Sequence, residues 1–456
     1  MDALRKYAKL VNFLNQIILI IVMLSLFVFV FLTYYERAVF FFKGNFIIIF
    51  LYVVILLVLA AAYRCLRIGI LTTGELIYSC FIAVLITNII MYIVICLIAR
   101  EIMNPSALAC LSLAQTFIGA LFYWYANKIF FLLYPARDCV AIGRDSGLDI
   151  ITFNKFHQLK TRFNIHVILD EREGFENLKW QLDHYSTVVL GDIDLSLRTK
   201  LIEYCFEKDI CLYVIPNISD VMMHNAHETQ IDDSLVYLCR NEGPSTEQLL
   251  VKRILDIVCS IIGLVISIPI MPIIAIFIKA YDGGPVFIKQ KRLTLNGREF
   301  NLIKFRSMIV NAEQDGKARL ASYDDKRITP VGKVIRTLRF DELPQLFNIL
   351  KGDMALVGPR PERPEIMQEY IKDFPAFEYR LKMKAGLTGY AQIYGKYNTP
   401  FEDKVKLDIV YVLRYSILND IKIIIATIKT IFKKSSSQGV MDEAVSMREK
   451  EDKYWS

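Results

Sequence analysis

The sequence predicts a membrane protein of mixed α and α/β class, and three observations predict it. Apolar residues make up 54% of the 456-residue chain, more than a water-soluble protein carries. Four long apolar stretches crowd its first third. From residue 137 to about 242, short β-branched runs alternate with polar, helix-like ones. A transmembrane four-helix bundle followed by a parallel-sheet, Rossmann-like middle domain accounts for all three.

The apolar stretches are 11–32, 46–62, 76–99 and 107–133, each with about the 20 residues that a bilayer core demands. The first is too long for a cleaved signal peptide and leads directly into a second span. Arg5, Lys6 and Lys9 precede the first span, Arg64 and Arg67 separate the second from the third, and a basic region follows the fourth. The positive-inside rule therefore puts both termini in the cytoplasm, with Arg37, Lys43 and Arg100 a smaller basic share outside.

The formal net charge of +7 is explained by a solvated, membrane-facing surface, without nucleic acid. Nine cysteines form no CxxC pair, which argues against disulfides and zinc. All five histidines precede residue 250, and Cys259 is the one cysteine beyond it. Chemistry in the C-terminal region must then come from carboxylates, hydroxyls, lysines or a metal.

In the middle region DCVAIG, NIHVILDE, STVVLGD and ICLYVIP read as buried strands, and LSLRTKLIEYCFEKD as an amphipathic helix. The glycine turn from Gly143 to Gly147 lacks the GxGxxG spacing, and Asp145 would repel a phosphate. A module for packing or self-association, and so a candidate homodimer contact, is the preferred reading there.

The C-terminal region carries the reactive residue types. In RFDELPQLFNILKGDM, Pro344 belongs in the first turn of a helix, which places Asp341 and Glu342 at its start and Leu343, Leu346, Phe347 and Leu350 at helical spacing behind them. Such an acidic pair commonly only caps a helix. It also suits a carboxylate nucleophile attacking phosphorus, with Glu342 holding a divalent cation. Anion ligands are at hand in Gln290, Lys291 and Arg292, in Lys304 and Arg306, and in Arg360 on a stiff PRP turn.

KRILDIVCS, GGPVFIKQKR, KFRSM, DELPQLFNILKGDM, VGPRPE and AGLTGYAQIYGK follow one another between about residues 252 and 422. In that order they resemble the bacterial sugar transferases, the polyprenyl-phosphate hexose-1-phosphate transferases that begin capsule, exopolysaccharide and O-antigen synthesis. The resemblance implies transfer of a sugar 1-phosphate from a UDP-sugar, glucose or galactose, to undecaprenyl phosphate. Mg²⁺ would assist, Asp341 would become a covalent sugar-phosphoryl aspartate, and UMP would leave. It implies metal binding at Glu342, and substrate contacts at Gln290, Arg292, Lys304, Arg306, Arg360 and Asp408.

It further implies that IGLVISIPIMPIIAIFI, residues 262–278, is a re-entrant helix broken at Pro269 and Pro272, with Ile268 where the family has serine. Arg253, Asp256 and Lys279 would then lie at headgroup level. Ala385, where the family usually has proline, implies a looser turn. The expected domains are 1–135, a transmembrane bundle; 136–245, a Rossmann-like domain; 246–434, a re-entrant helix with a mainly helical catalytic domain; and 435–456, a polar tail. The expected location is a bacterial inner membrane, with the catalytic domain on its cytoplasmic face. The rival reading is a membrane-anchored scaffold with a degenerate transferase region. An NAD-dependent sugar enzyme would need the missing glycine fingerprint.

Overall fold

The computed structural model describes residues 2–40, 43–144, 153, 156, 159–239, 243–310, 312, 325, 327–395 and 399–431. Asp145 and Gly147 of the glycine turn and the 435–456 tail lie outside the described residues. The chain divides into two compact units, Met1–Asn217 and Ile218–Ser456.

The first unit opens with α1 (Asp2–Tyr34), α2 (Gly44–Ala62), α3 (Thr73–Ala99) and α4 (Ser106–Leu133), four helices long and apolar enough to cross a membrane. A capping box between Thr72 and Glu75 starts α3. The bundle core is mostly apolar, from Met23, Phe27 and Phe31 to Met91 and Leu111, with a small polar network set within it, and its outer surface is apolar too. Buried Asn88 donates to Ser112 Oγ and Gln115 Oε1 at 2.8 and 2.9 Å, and Gln115 in turn donates to the Tyr52 hydroxyl and the Met23 carbonyl. Phe46, Phe50, Leu97 and Leu113 face outward. An outer surface this apolar suits hydrocarbon, where interhelical amides add to packing in holding helices together.

Strands β1 (Arg137–Gly143), β2 (Phe163–Asp170), β3 (Thr187–Leu190) and β4 (Cys211–Val214) form one parallel sheet in the order β2-β1-β3-β4. These are the four strands expected from the β-branched runs. Helices α5 (Phe175–Leu182) and α6 (Leu195–Glu207) bury Leu178, Leu182 and Leu201 against Val140, Ile142 and Leu190, while Ala141 and Val189 pack on Phe153 at the opposite face.

The second unit begins with α7 (Ile218–Met223) and the hairpin β5 (His227–Ile231) to β6 (Ser234–Leu238). Val221 packs on Met367, Val405 and Ile409, and Asn225 donates to the Leu413 carbonyl at 2.7 Å.

Next come α8 (Thr246–Ser267) and α9 (Ile270–Asp282), bent by 59° at the break between them. Pro269 and Pro272 lack the N–H groups that would continue the helical ladder. Ser267 Oγ instead donates to the Leu264 carbonyl at 3.1 Å, so the hydroxyl one place before Ile268 serves the break. Lys252, Asp256, Ser260 and Ser267 are buried along one face of α8, while Ile254, Val258, Ile262 and Val265 are more than half or nearly half exposed on the other.

That inward polar face gives Arg253 and Asp256, expected at headgroup level, partners within the protein. Arg253 donates to the Ile349 and Leu350 carbonyls, both at 2.6 Å, and Asp256 accepts from Leu356 N at 2.9 Å. Lys279 caps the end of α9 through the Gly283 carbonyl.

The rest of the unit is a set of short elements. They are the antiparallel hairpin β7 (Phe287–Leu293) and β8 (Glu299–Phe305), α10 (Pro330–Thr337), α11 (Gln345–Lys351), β9 (Ala355–Val357), α12 (Pro364–Asp373), β10 (Gly386–Thr388), α13 (Tyr390–Tyr394), α14 (Phe401–Leu413) and α15 (Ile417–Ile431). Phe300, Leu302, Leu346, Ile349 and Met354 form the core beneath the site.

Candidate active site

Arg339, in the left-handed region at φ 55°, turns the chain after α10 into a single 3₁₀ turn, Phe340–Glu342. The acidic pair sits in this turn, one step ahead of α11 and not in its first turn as the sequence suggests. Helical dihedrals run on through Leu343 and Pro344, so the pair is rigidly joined to the helix. Leu346 and Ile349 are buried behind it, while Phe347 faces outward. Arg253 at the far end satisfies the last carbonyls of α11, where a cation is favoured.

The hairpin supplies cations by alternation. Gln290 and Arg292 stand on one face of β7, and the register sets Ile288 opposite Lys304, which brings Lys304 to that same face. Lys291 points the other way, to Glu299. Gln290 Oε1 accepts from Arg292 Nε and Nη2 at 3.1 and 2.6 Å, so Gln290 orients an arginine here.

Arg360 reaches the pair from the loop after β9, its Nη2 3.2 Å from Glu342 Oε1, while Arg339 Nη1 lies 3.5 Å from Glu342 Oε2. That loop is held where β9 and β10 pair in parallel, with Gly358 N donating to Thr388 O and Gly386 N to Pro359 O. A Cβ on Gly386 would lie 2.1 Å from Gly358 N, which is why a glycine stands at each crossing. Ala385 corrects the expectation of a looser turn. Its N–H donates to Thr294 Oγ1 at 3.1 Å, a bond that proline cannot make, and the turn is thereby held.

Two expected ligands stand elsewhere. Arg306 is 6% exposed and committed to Asp282 and the Pro285 carbonyl at the end of α9, so it braces the bent helix pair. Asp408 is 1% exposed on α14 and paired with Arg380 at 2.6 Å. Its carboxylate is thus engaged within the protein.

Burial, and then the neighbouring Glu342, push the Asp341 carboxyl up to about 6 against the pull of Lys304, Arg336 and Arg360. Burial also acts upward on Glu342, but Arg360 and Arg339 outweigh it and hold that carboxyl below its usual range. Lys304 is pushed down to about 8 by burial and by Arg292, with Asp341 opposing. At neutral pH the site is therefore an ionised acid pair among cations. It can bind a phosphorylated group and attack it with a carboxylate. Arg336 and Arg339, five and two residues before Asp341, escaped the sequence reading, although RTLRFDE displays them.

Among the described residues no three His, Cys, Asp or Glu side chains gather as a metal cage. Mg²⁺ is ordinarily held by one or two carboxylates together with substrate phosphates, and Glu342 beside the nucleophile fits that donor set.

A bent, apolar-faced helix pair packs beneath an acidic pair set among lysine and arginine, an arrangement that can take an anion beside an apolar surface. Residues 247–434 match the family described as Bacterial sugar transferase. The uncharacterized sugar transferase EpsL of Bacillus subtilis is 38% identical over 184 residues, 88% of its length and 40% of this chain. The chain belongs to the bacterial sugar transferase family.

It is also similar to the UDP-N-acetylgalactosamine-undecaprenyl-phosphate N-acetylgalactosaminephosphotransferase of Aeromonas hydrophila, 37% identical over 258 residues, which is 54% of this chain and 59% of that protein. The undecaprenyl-phosphate galactose phosphotransferase of Salmonella typhimurium is 35% identical over 241 residues, 49% of this chain and 50% of that protein. The chain thus spans about half the length of these two longer relatives.

Proposed function

We propose that the protein transfers a sugar 1-phosphate from a UDP-sugar to undecaprenyl phosphate in a bacterial inner membrane, with Asp341 as the nucleophile on the cytoplasmic side. The reading is supported above all by Asp341 itself, a half-buried carboxyl ionised at neutral pH and set among Lys304, Arg336 and Arg360. The names of the relatives agree with it, and the basic flanks of the apolar spans support the orientation.

A carboxylate oxygen of Asp341 attacks the β-phosphorus, and the bond from that phosphorus to the bridging oxygen breaks as UMP leaves. A phosphate oxygen of undecaprenyl phosphate then attacks the same phosphorus, and its bond to Asp341 breaks, which restores the carboxylate. Arg360 and Lys304 neutralise charge on the equatorial oxygens in both steps. Glu342, with the donor's diphosphate, would hold Mg²⁺, whose charge would screen the donor from the attacking carboxylate. Proline at 269 and 272 makes the helix pair re-entrant, and the site then meets the lipid phosphate at headgroup level.

The sugar is glucose or galactose, with N-acetylgalactosamine added to the panel by a relative's name. The test is UMP release by the full chain in nanodiscs with Mg²⁺, undecaprenyl phosphate and each UDP-sugar, comparing wild type with Asp341→Asn. One sugar should give UMP, with a loss of at least about 10³-fold in the variant. Release of UDP, or an active variant, would refute the reading.

A further inference from the structure

Four successive carbonyls of the Arg360 loop each accept a hydrogen bond from a different part of the unit. Pro359 O accepts from Gly386 N at 2.8 Å, and Arg360 O from Arg380 Nη2 at 3.0 Å. Pro361 O accepts from Arg292 Nη1 at 3.0 Å, and Glu362 O from Leu293 N at 2.9 Å. Two of the four donors are backbone groups of strands. Arg292 is oriented by Gln290, and Arg380 is oriented by Asp408.

Arg380 is 6% exposed, lies 4.7 Å above the Phe377 ring, and uses the nitrogen that bonds Arg360 O to bond Asp408 Oδ2 at 2.6 Å. Its Nη1 lies 3.7 Å from Glu362 Oε1. Its Nε has no hydrogen-bond partner among the described residues, and the residue lines a small cavity with Pro359, Arg360 and Met383. A buried arginine–aspartate pair is a weak source of stability, because desolvation offsets most of the attraction. Its geometry here serves another purpose: it aims a donor at the carbonyl of Arg360, whose side chain reaches Glu342.

We propose that Asp408 and Arg380 form a positioning pair that fixes the backbone of Arg360, so that its guanidinium stays on the acidic pair and on the substrate phosphate. This rests on the transferase reading for the substrate, though not for the geometry. Neither member touches the reacting atoms.

The experiment uses the full chain in nanodiscs and the double variant Arg380→Met/Asp408→Leu, which removes both charges together and leaves neither orphaned. The double variant should melt close to wild type, yet amide exchange at Gly358, Arg360 and Glu362 should rise, and kcat/KM for the UDP-sugar should fall about 100-fold, as expected for a clamp misplaced by about 1 Å. A purely structural pair would give recovered melting together with wild-type exchange and kcat/KM, and that result overturns the proposal. If the double variant does not fold, Asp408→Asn carries the same comparison. If the wild type releases no UMP, the transferase reading falls, and exchange alone then decides: a rise confined to 358–363 upholds the pair's role, and no rise overturns it.

Discussion

The rate should be bounded by two titrations that the site already displays. Asp341 must be ionised to attack, and its carboxyl titrates at about 6; Lys304 must be charged to hold phosphate, and it titrates at about 8. At pH 7 each is then about nine-tenths in its active form, and their product is about 0.8. At pH 5 only about a tenth of Asp341 is ionised, and at pH 9 about a tenth of Lys304 is charged. kcat/KM for UMP release should therefore fall roughly nine-fold on either side of neutrality. The perturbation is Lys304→Met. It removes the foremost cation that draws the Asp341 titration down, so the acid limb should move above 6 while the basic limb near 8 disappears. Rates from pH 4.5 to 9.5 on both proteins measure this. A variant that keeps both limbs in place would refute the electrostatic account, and so would a wild-type acid limb at the ordinary aspartate value.

Two further outcomes follow from the helix pair. Lys252 Nζ lies 2.6 Å from Asp420 Oδ2, with side-chain exposures of 5% and 1%, so Lys252→Met should destabilise the unit by about 3–5 kcal/mol by leaving a buried carboxylate unpaired. Thermal unfolding in detergent checks it, and Lys252→Met/Asp420→Leu should recover most of the loss. Replacing Pro269 and Pro272 together by alanine restores two ladder N–H groups, which should straighten the break and let part of the protein span the bilayer. Labelling from the outer side of a cysteine introduced after α9, as in Lys291→Cys, should then rise from background, and unchanged labelling would count against the re-entrant reading.

What the sequence displayed depended on how local each constraint is. The four spans were legible because a bilayer core makes every residue of a helix answer to one rule, and the sheet because β-branched runs such as TVVL need only their own composition. The acidic pair was legible because DELP carries its own turn. The partners of Arg306 and Asp408 were not legible, because a charge looks the same in a chain whether it meets substrate or a buried partner. Asp282 and Arg380 stand 24 and 28 residues from them, and nothing local marks either pairing. Strands β9 and β10, three residues each, leave a trace only in their glycines, at Gly358 and Gly386, where backbones cross too closely for a Cβ.

The same limit explains α8. Read alone, Lys252, Arg253 and Asp256 are charges at the mouth of an apolar helix, and headgroup level is the natural place for them. Their partners give them a different meaning. Lys252 donates to Val357 O at 2.9 Å, Asp256 accepts from Leu356 N, and Arg253 holds the last carbonyls of α11. One turn of α8 thus grips both the strand that leads into the Arg360 loop and the helix that carries Asp341 and Glu342. Because four bonds from three residues within five positions define that grip, a shift of α8 along its axis by one residue, about 1.5 Å, would break all of them. Helix α8 therefore acts as the gauge that sets Arg360 against the acidic pair, and on the re-entrant reading proposed above its depth would set where the site stands relative to the lipid phosphate.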